Sequence, residues 1–298
     1  LYANTQSVSA WGGEDAETPF YGRVYISILP TSGSNLTDAT KERIVKDLKK
    51  YSVASVTPVI IDSETTNILL TSTVKFDETS TPKTADTLKS NVVTTLTDYN
   101  TNTLQSFDTI FRYSKLSSLI DDTDESILSN ITTVQLRKSF LPTIGTSTKY
   151  TINFANSLYN PHSGHNATAG GIVSSTGFKI EGDTTNIWYL DDDGEGNIRR
   201  YRQDGSVRAY GTSTQGSINY STGLVEVNSL NVSNIENVRG VASTVIEITV
   251  KPQSNDIVPI RNQILEMDIA NSTVTVEADA LVGGSANAGI GYTTTSSY

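Results

Sequence analysis

Asp191-Asp192-Asp193-Gly194-Glu195-Gly196-Asn197 is the best candidate in the chain for metal chemistry. Laid on a calcium-binding EF-hand loop with Gly196 at the sixth position, Asp191, Asp193 and Glu195 take the first, third and fifth. The twelfth position needs a bidentate Glu and is Arg202 here, and the flanks read as strands instead of helices. An acidic hairpin tip is therefore the better reading, with a weak calcium site as the lesser one. His162 and His165 are the only histidines and share a Gly/Pro loop. A catalytic zinc would need a third protein ligand, and the sequence has neither H-E-x-x-H nor any cysteine. The Gly-rich tail lacks the Lys-Ser/Thr of a phosphate loop, and no G-x-S-x-G elbow occurs. No residue is assigned a catalytic, cofactor-binding or metal-binding role, and no cofactor is expected.

The one local basic patch is Arg199-Arg200-Tyr201-Arg202 with Arg208, interleaved with Trp188, Tyr189 and Tyr210. For nucleic acid it would be a minimal stacking surface. Alternate strand residues point to opposite faces, so Arg200 and Arg202 share one face while Arg199 and Tyr201 take the other. The whole chain carries 32 acids against 22 bases, a formal charge of −10. That balance favours a protein contact through Arg200, Arg202, Tyr201 and Trp188, or cross-strand pairs with the acids at 191–195. It argues against nucleic acid or an anionic membrane as the partner.

These side chains need elements to hold them. The absence of cysteine rules out a disulfide framework, and no apolar run of about 18 residues exists that would span a bilayer as a helix. No secretion signal is visible, and a start at Leu1 without a methionine reads as either the C-terminal part of a longer protein or simple processing. The Asn-x-Ser/Thr sequences, such as those at Asn35 and Asn130, are what a Thr-rich chain supplies by chance.

Residues 23–29, RVYISIL, are apolar on both sides of the alternation, as in a strand with both faces covered, and Pro30 ends it. Residues 38–51 read as an amphipathic helix behind Thr37 as N-cap. Residues 56–62 and 68–76 read as a hairpin across a polar turn at 63–67. A second helical region starts after Pro82, a further helix falls around 107–120, and a strand covers 131–140. The order β-α-β-β-α-β predicts an α+β, ferredoxin-like split-βαβ domain over 21–143, preceded by an extension at 1–20.

From 144 to 243 short strands follow at close intervals, predicting an all-β sandwich or barrel. The long loop at 159–171 is either mobile or held by a neighbour. Residues 244–282 supply strands that pack back on the body, ending in a hairpin of 263–269 with 272–278. The tail at 283–298 has no core-forming pattern and is expected to be flexible.

Three stretches carry a family likeness: Trp11–Pro30, Gly216–Val227 (GSINYSTGLVEV) and Val245–Ile269, the last with D-I-x-P-x-R-N-Q at its centre. They resemble the C-terminal part of baseplate wedge proteins of contractile-tailed, T-even-type phages, in the baseplate-J-like group. The resemblance implies a late structural protein of the virion tail, assembled in the host cytoplasm. It implies a homodimer that meets other wedge proteins, joins wedges into a ring around the hub and takes part in the rearrangement before sheath contraction. It brings no catalytic residue. The alternative is a surface adhesin or carbohydrate-binding β module, which would show Trp188, Tyr189 and Tyr201 exposed in a groove.

Overall fold

The computed structural model describes residues 4–15, 19–33, 35–52, 56–165 and 171–279. The tail expected to be flexible at 283–298, and part of the 159–171 loop, lie outside them. The strands are β1 (Thr5–Gly12), β2 (Arg23–Pro30), β3 (Thr57–Ile61), β4 (Glu64–Phe76), β5 (Ile127–Phe140) and β6 (Thr148–Asn153). There follow β7 (Ser174–Ser175), β8 (Phe178–Ile180), β9 (Asp183–Asp192), β10 (Asn197–Asp204) and β11 (Val207–Asn219). The last are β12 (Leu224–Leu230), β13 (Val232–Ile235), β14 (Ile246–Val250), β15 (Gln263–Met267) and β16 (Thr273–Ala278). Three α-helices stand among the described residues: α1 (Asp38–Lys49), α2 (Ala85–Tyr99) and α3 (Tyr113–Asp121). The fold is mainly β with helices, and it divides into two compact units.

The first unit comprises 1–68, 104–111 and 135–266. Its first sheet has the order β1-β2-β3. β2 and β3 run parallel, which requires a crossover, and α1 supplies it. β2 is the middle strand, so both its edges are paired and Ser27 and Ile28 are buried. Residues 5–12, expected to lie in an extension, form β1 and pair with β2 from Gly12↔Val24 to Thr5↔Pro30.

The larger sheet of this unit is antiparallel, in the order β13-β8-β9-β10-β11-β12-β6. Its inner face is built from Ile152, Leu190, Ile198, Ile218, Val225 and Val227, all at most 5% exposed. β14 pairs with residues 136–140 of β5 through an apolar alternation of Ile246, Ile248 and Val250.

The second unit comprises 69–103, 112–134 and 267–298. Leu88, Val92, Leu96 and Tyr99 recur at helical spacing on α2 and are buried, as their period predicts. Thr84 caps the helix, its side chain accepting from the Thr87 amide. Leu116 and Ile120 of α3 join Leu70, Val74 and Val134 in the core.

The topology departs from the ferredoxin-like expectation. β3 pairs with β2 and β4 pairs with β5, so the four expected strands belong to two sheets and no β3–β4 hairpin forms. Residues of the expected turn belong instead to the start of β4. The stretch 63–67 reads as a polar turn, yet Thr66 and Ser72 lie on the buried face of one long strand with Ile68, Leu70, Val74 and Phe76. Ser72 Oγ lies 2.8 Å from Thr132 Oγ1, so neither hydroxyl is left unpaired.

The C-terminal hairpin is also absent. β16 lies parallel to β4, from Thr273↔Thr71 to Ala278↔Phe76. A short 3-10 turn at Ile269–Asn271, capped by Asp268 accepting from the Asn271 amide at 3.1 Å, carries the chain onward. No residue of 268–272 takes the positive φ that a tight two-residue hairpin requires. Residues 107–111, expected to begin a helix, hold Phe111 in a bridge to Ile257, and α3 starts at Tyr113.

Candidate functional site

β9 and β10 bring the acidic loop and the basic stretch into register. The pairs are Trp188↔Arg202, Tyr189↔Tyr201, Leu190↔Arg200, Asp191↔Arg199 and Asp192↔Ile198. Asp191, Arg199 and Tyr201 therefore share a face with Tyr189, and Tyr210 and Arg208 of β11 join them. Trp188, Arg200 and Arg202 lie on the other face with Leu190 and Ile198.

Asp191 is fully buried and stands at the centre of the first group. It accepts from Arg199 Nε at 2.9 Å and Nη2 at 3.1 Å, from Arg208 Nη1 at 2.7 Å and from the Tyr210 hydroxyl at 2.9 Å. The bidentate fork is what a planar guanidinium offers a carboxylate. Arg199 lies over the Tyr210 ring and Arg208 over the Tyr201 ring, each 4.4 Å from the centroid. Tyr189 and Tyr201 stack at 5.6 Å. Two guanidinium groups share one carboxylate, so the cluster holds an excess positive charge under aromatic cover. Burial pushes the Tyr201 and Tyr210 hydroxyls above the usual phenol range, and Asp191 adds to it. For Arg208, burial works against the charged form, and Asp191, Tyr201 and Tyr210 together outweigh it.

On the other face, the guanidinium carbons of Arg200 and Arg202 lie 4.9 Å and 6.0 Å from the Trp188 centroid. Arg200 donates to Gln215 Oε1 at 3.0 Å, and burial lowers its proton affinity. Trp188 donates to Asp183 Oδ2 at 3.1 Å and packs on the backbone of Gly211, where an added Cβ would come within 2.5 Å of the ring. Trp188 and Tyr201 are only 7% and 8% exposed, while Tyr210 is 44% exposed.

The carboxylates of the acidic loop turn to three separate networks. Asp191 serves the arginines. Asp192, also fully buried, accepts from the Ile172 and Val173 amides at 2.7 and 2.8 Å and from the Tyr220 hydroxyl at 2.7 Å. Asp193 closes the β9–β10 turn by accepting from the Glu195 and Asn197 amides at 2.8 and 3.0 Å. Burial works against the Asp193 carboxylate, and the Asn197 and Glu195 bonds together with the Arg199 charge outweigh it and lower its proton affinity. His162 and His165 contact each other, Nε2 to Nδ1 at 3.1 Å, beside Tyr159. Among the described residues no group of three or more His, Cys, Asp or Glu side chains converges to hold a metal ion.

The role of Asp191 as a shared acceptor was legible as cross-strand pairing. That of Tyr220 was not, because a tyrosine before a turn gives no sign of what its hydroxyl meets.

Comparison with known proteins follows the partition of the strands. Residues 1–61 match the family model of the baseplate structural protein gp6, C-terminal domain I. Residues 65–139 match that of gp6 C-terminal domain III. The first match ends on the last residue of β3, and the second covers β4 to β5 apart from one residue at each end. Both segments are similar to a phage baseplate structural protein. The baseplate wedge protein gp6 of Enterobacteria phage T4 is 27% identical over 115 residues, which is 39% of this chain. That match spans 17% of the phage protein's length. These similarities support a baseplate structural role and a place in the virion tail.

Proposed function

We propose that the chain is a non-enzymatic structural subunit of a phage tail baseplate wedge. It joins wedges into a ring around the hub and takes part in the rearrangement that triggers sheath contraction. The observation that carries this reading is the agreement between the two gp6-like segments and two topologically separate sets of strands, β1–β3 and β4–β5. Its partners are a second copy and other wedge proteins, met without nucleic acid or membrane.

The basic and aromatic stretch of β10 is the proposed contact. Tyr201 and Trp188 are buried beneath arginines, so the groups on offer are the part-exposed Arg200, Arg202 and Arg208 and the exposed Tyr210. Tyr and Arg are the side chains that most often anchor such contacts. The carbohydrate-binding alternative asks for open rings at Trp188 and Tyr201, and both rings are instead covered by arginines and neighbouring tyrosines.

The test is assembly. Purified chain is expected to sediment as a dimer and to co-purify with other tail proteins, and charge reversal at Arg200 and Arg202 is expected to weaken both. A monomer at high concentration that also fails to enter particles would overturn the reading.

A further inference from the structure

A cavity of about 940 Å³ opens beside β6, and three features of its lining point to a ligand. Gln263 is 2% exposed, and its Nε2 donates to the Asn153 carbonyl at 3.1 Å while its Oε1 has no hydrogen-bond partner. A buried acceptor left without a donor keeps its desolvation cost uncompensated, so a donor entering the cavity recovers that loss.

The second feature is an edge. β6 ends its sheet and pairs with β12 alone. The Asn153 carbonyl turns to Gln263, hence away from β12. Main-chain groups of alternate residues in an antiparallel ladder point the same way, so those of Thr151, which also lines the cavity, point outward too.

The third feature is Arg261, held at a φ of 42°, a left-handed conformation that strains a residue with a Cβ. It lines the cavity and lies in the D-I-x-P-x-R-N-Q segment. The charged residues of the lining are Lys138 and Arg261 against Glu64, an excess of one positive charge. Lys138 and Glu64 already pair at 2.9 Å. The rings of Trp11, Tyr25 and Phe140 complete the wall.

We propose that this cavity receives an extended segment of another protein chain, which adds a strand to the free edge of β6. The incoming main chain pairs with Thr151, a donor from it or its side chains satisfies Gln263 Oε1, an apolar side chain meets the rings, and an acidic one meets Arg261. Strand addition to an exposed edge draws its affinity from main-chain bonds and its selectivity from alternate side-chain pockets. A glycan would also suit rings and amides, but it would leave the strand edge unpaired. The inference deepens the assembly role and rests on it only for the source of the segment, another subunit.

The experiment uses the full chain and a blocked peptide of about eight residues, alternating Thr and Val with one central Asp. Hydrogen exchange is read amide by amide with NMR. The expected result is a slowing of at least about tenfold at Thr151 on peptide saturation, with the already paired Ile152 unchanged. The same peptide N-methylated at alternate residues is expected to leave Thr151 unaffected. Thr151→Pro, which removes the outward N–H at an edge position that tolerates proline, is expected to weaken binding at least about tenfold. The N-methylated peptide decides the matter even if that variant misfolds.

Exchange at Thr151 that is unchanged by the peptide overturns the proposal. So does perturbation of these residues by N-acetylglucosamine oligomers in place of the peptide. Particle association is measured separately, so strand addition can fail while the wedge role stands, and the reverse.

Discussion

The Tyr220 hydroxyl donates to Asp192 Oδ2 at 2.7 Å and ties the turn after β11 to a fully buried carboxylate at the end of β9. The same carboxylate accepts the Ile172 and Val173 amides, so one side chain holds three segments of the first unit. Asp192 is thus a structural anchor within the acidic stretch that reads in the sequence as a hairpin tip.

Tyr220→Phe removes one hydrogen bond to a charged acceptor and is expected to cost about 1.5–3 kcal/mol, read from urea unfolding. The pH dependence has a definite sign. Burial first, then Asp192, raises the ionisation of Tyr220 above the ordinary 10.0. The unfolded chain therefore loses this proton before the folded chain does, and stability falls as pH rises above 10.0. The slope above that pH is expected to be shallower in the Phe variant. Equal slopes would mean that the hydroxyl is not held in this way.

Asp191→Asn leaves Arg199 and Arg208 facing each other across a neutral amide. Breaking a buried pair from one side typically costs 3–5 kcal/mol, and a loss of about that size is expected. Adding Arg208→Gln to the Asn variant is expected to destabilise less than Arg208→Gln does alone, because the second cation no longer has its acceptor. Strict additivity in that double-mutant cycle would contradict the shared-acceptor geometry.

Gly223 has a φ of 76°, and a Cβ there would collide with the Asn156 carbonyl. Gly205 has a φ of 61° with nothing within 4 Å of the added atom. Gly205→Ala is expected to cost the left-handed penalty alone, about 1–2 kcal/mol. Gly223→Ala is expected to cost more, and thermal melting of the two variants gives the order.

Asp124 accepts from Lys83, from the Ser126 hydroxyl at 2.6 Å and from the Ser126 amide at 3.1 Å. Lys83 first, then Ser126, lowers its ionisation from 3.8 to about 2. The folded chain keeps this carboxylate charged after the unfolded chain has taken up the proton. Its contribution is complete above 3.8 and disappears as pH falls towards about 2. Acid unfolding of Asp124→Asn is expected to start from lower stability and to fall less steeply through that window.

Period and local chemistry made much of the chain readable. α2 shows its buried stripe at Leu88, Val92, Leu96 and Tyr99, and β2 shows the two-sided apolar character of a middle strand. The facing of Arg199 with Tyr201, against Arg200 with Arg202, follows from strand alternation alone. The three stretches of family likeness lay in the sequence as well, and Gly216–Val227 explains itself in space. In G-x-I-x-Y-x-T-G, Gly216 admits the Glu226 backbone, Tyr220 reaches Asp192, and Gly223 turns beside Asn156.

Pairing partners were another matter, because a strand's own residues encode its faces and not its neighbours. Thr66 looks like a turn residue until β4 runs through it, and β16 looks like half a hairpin until β4 takes it in parallel. The sequence by itself determined which residues are strand, helix and turn over most of the chain, and which side chains share a face. Only the tertiary structure decided which edges meet and which carboxylate receives which donor, because those bonds join residues far apart in the chain and hydrogen-bonding capacity alone does not name a partner.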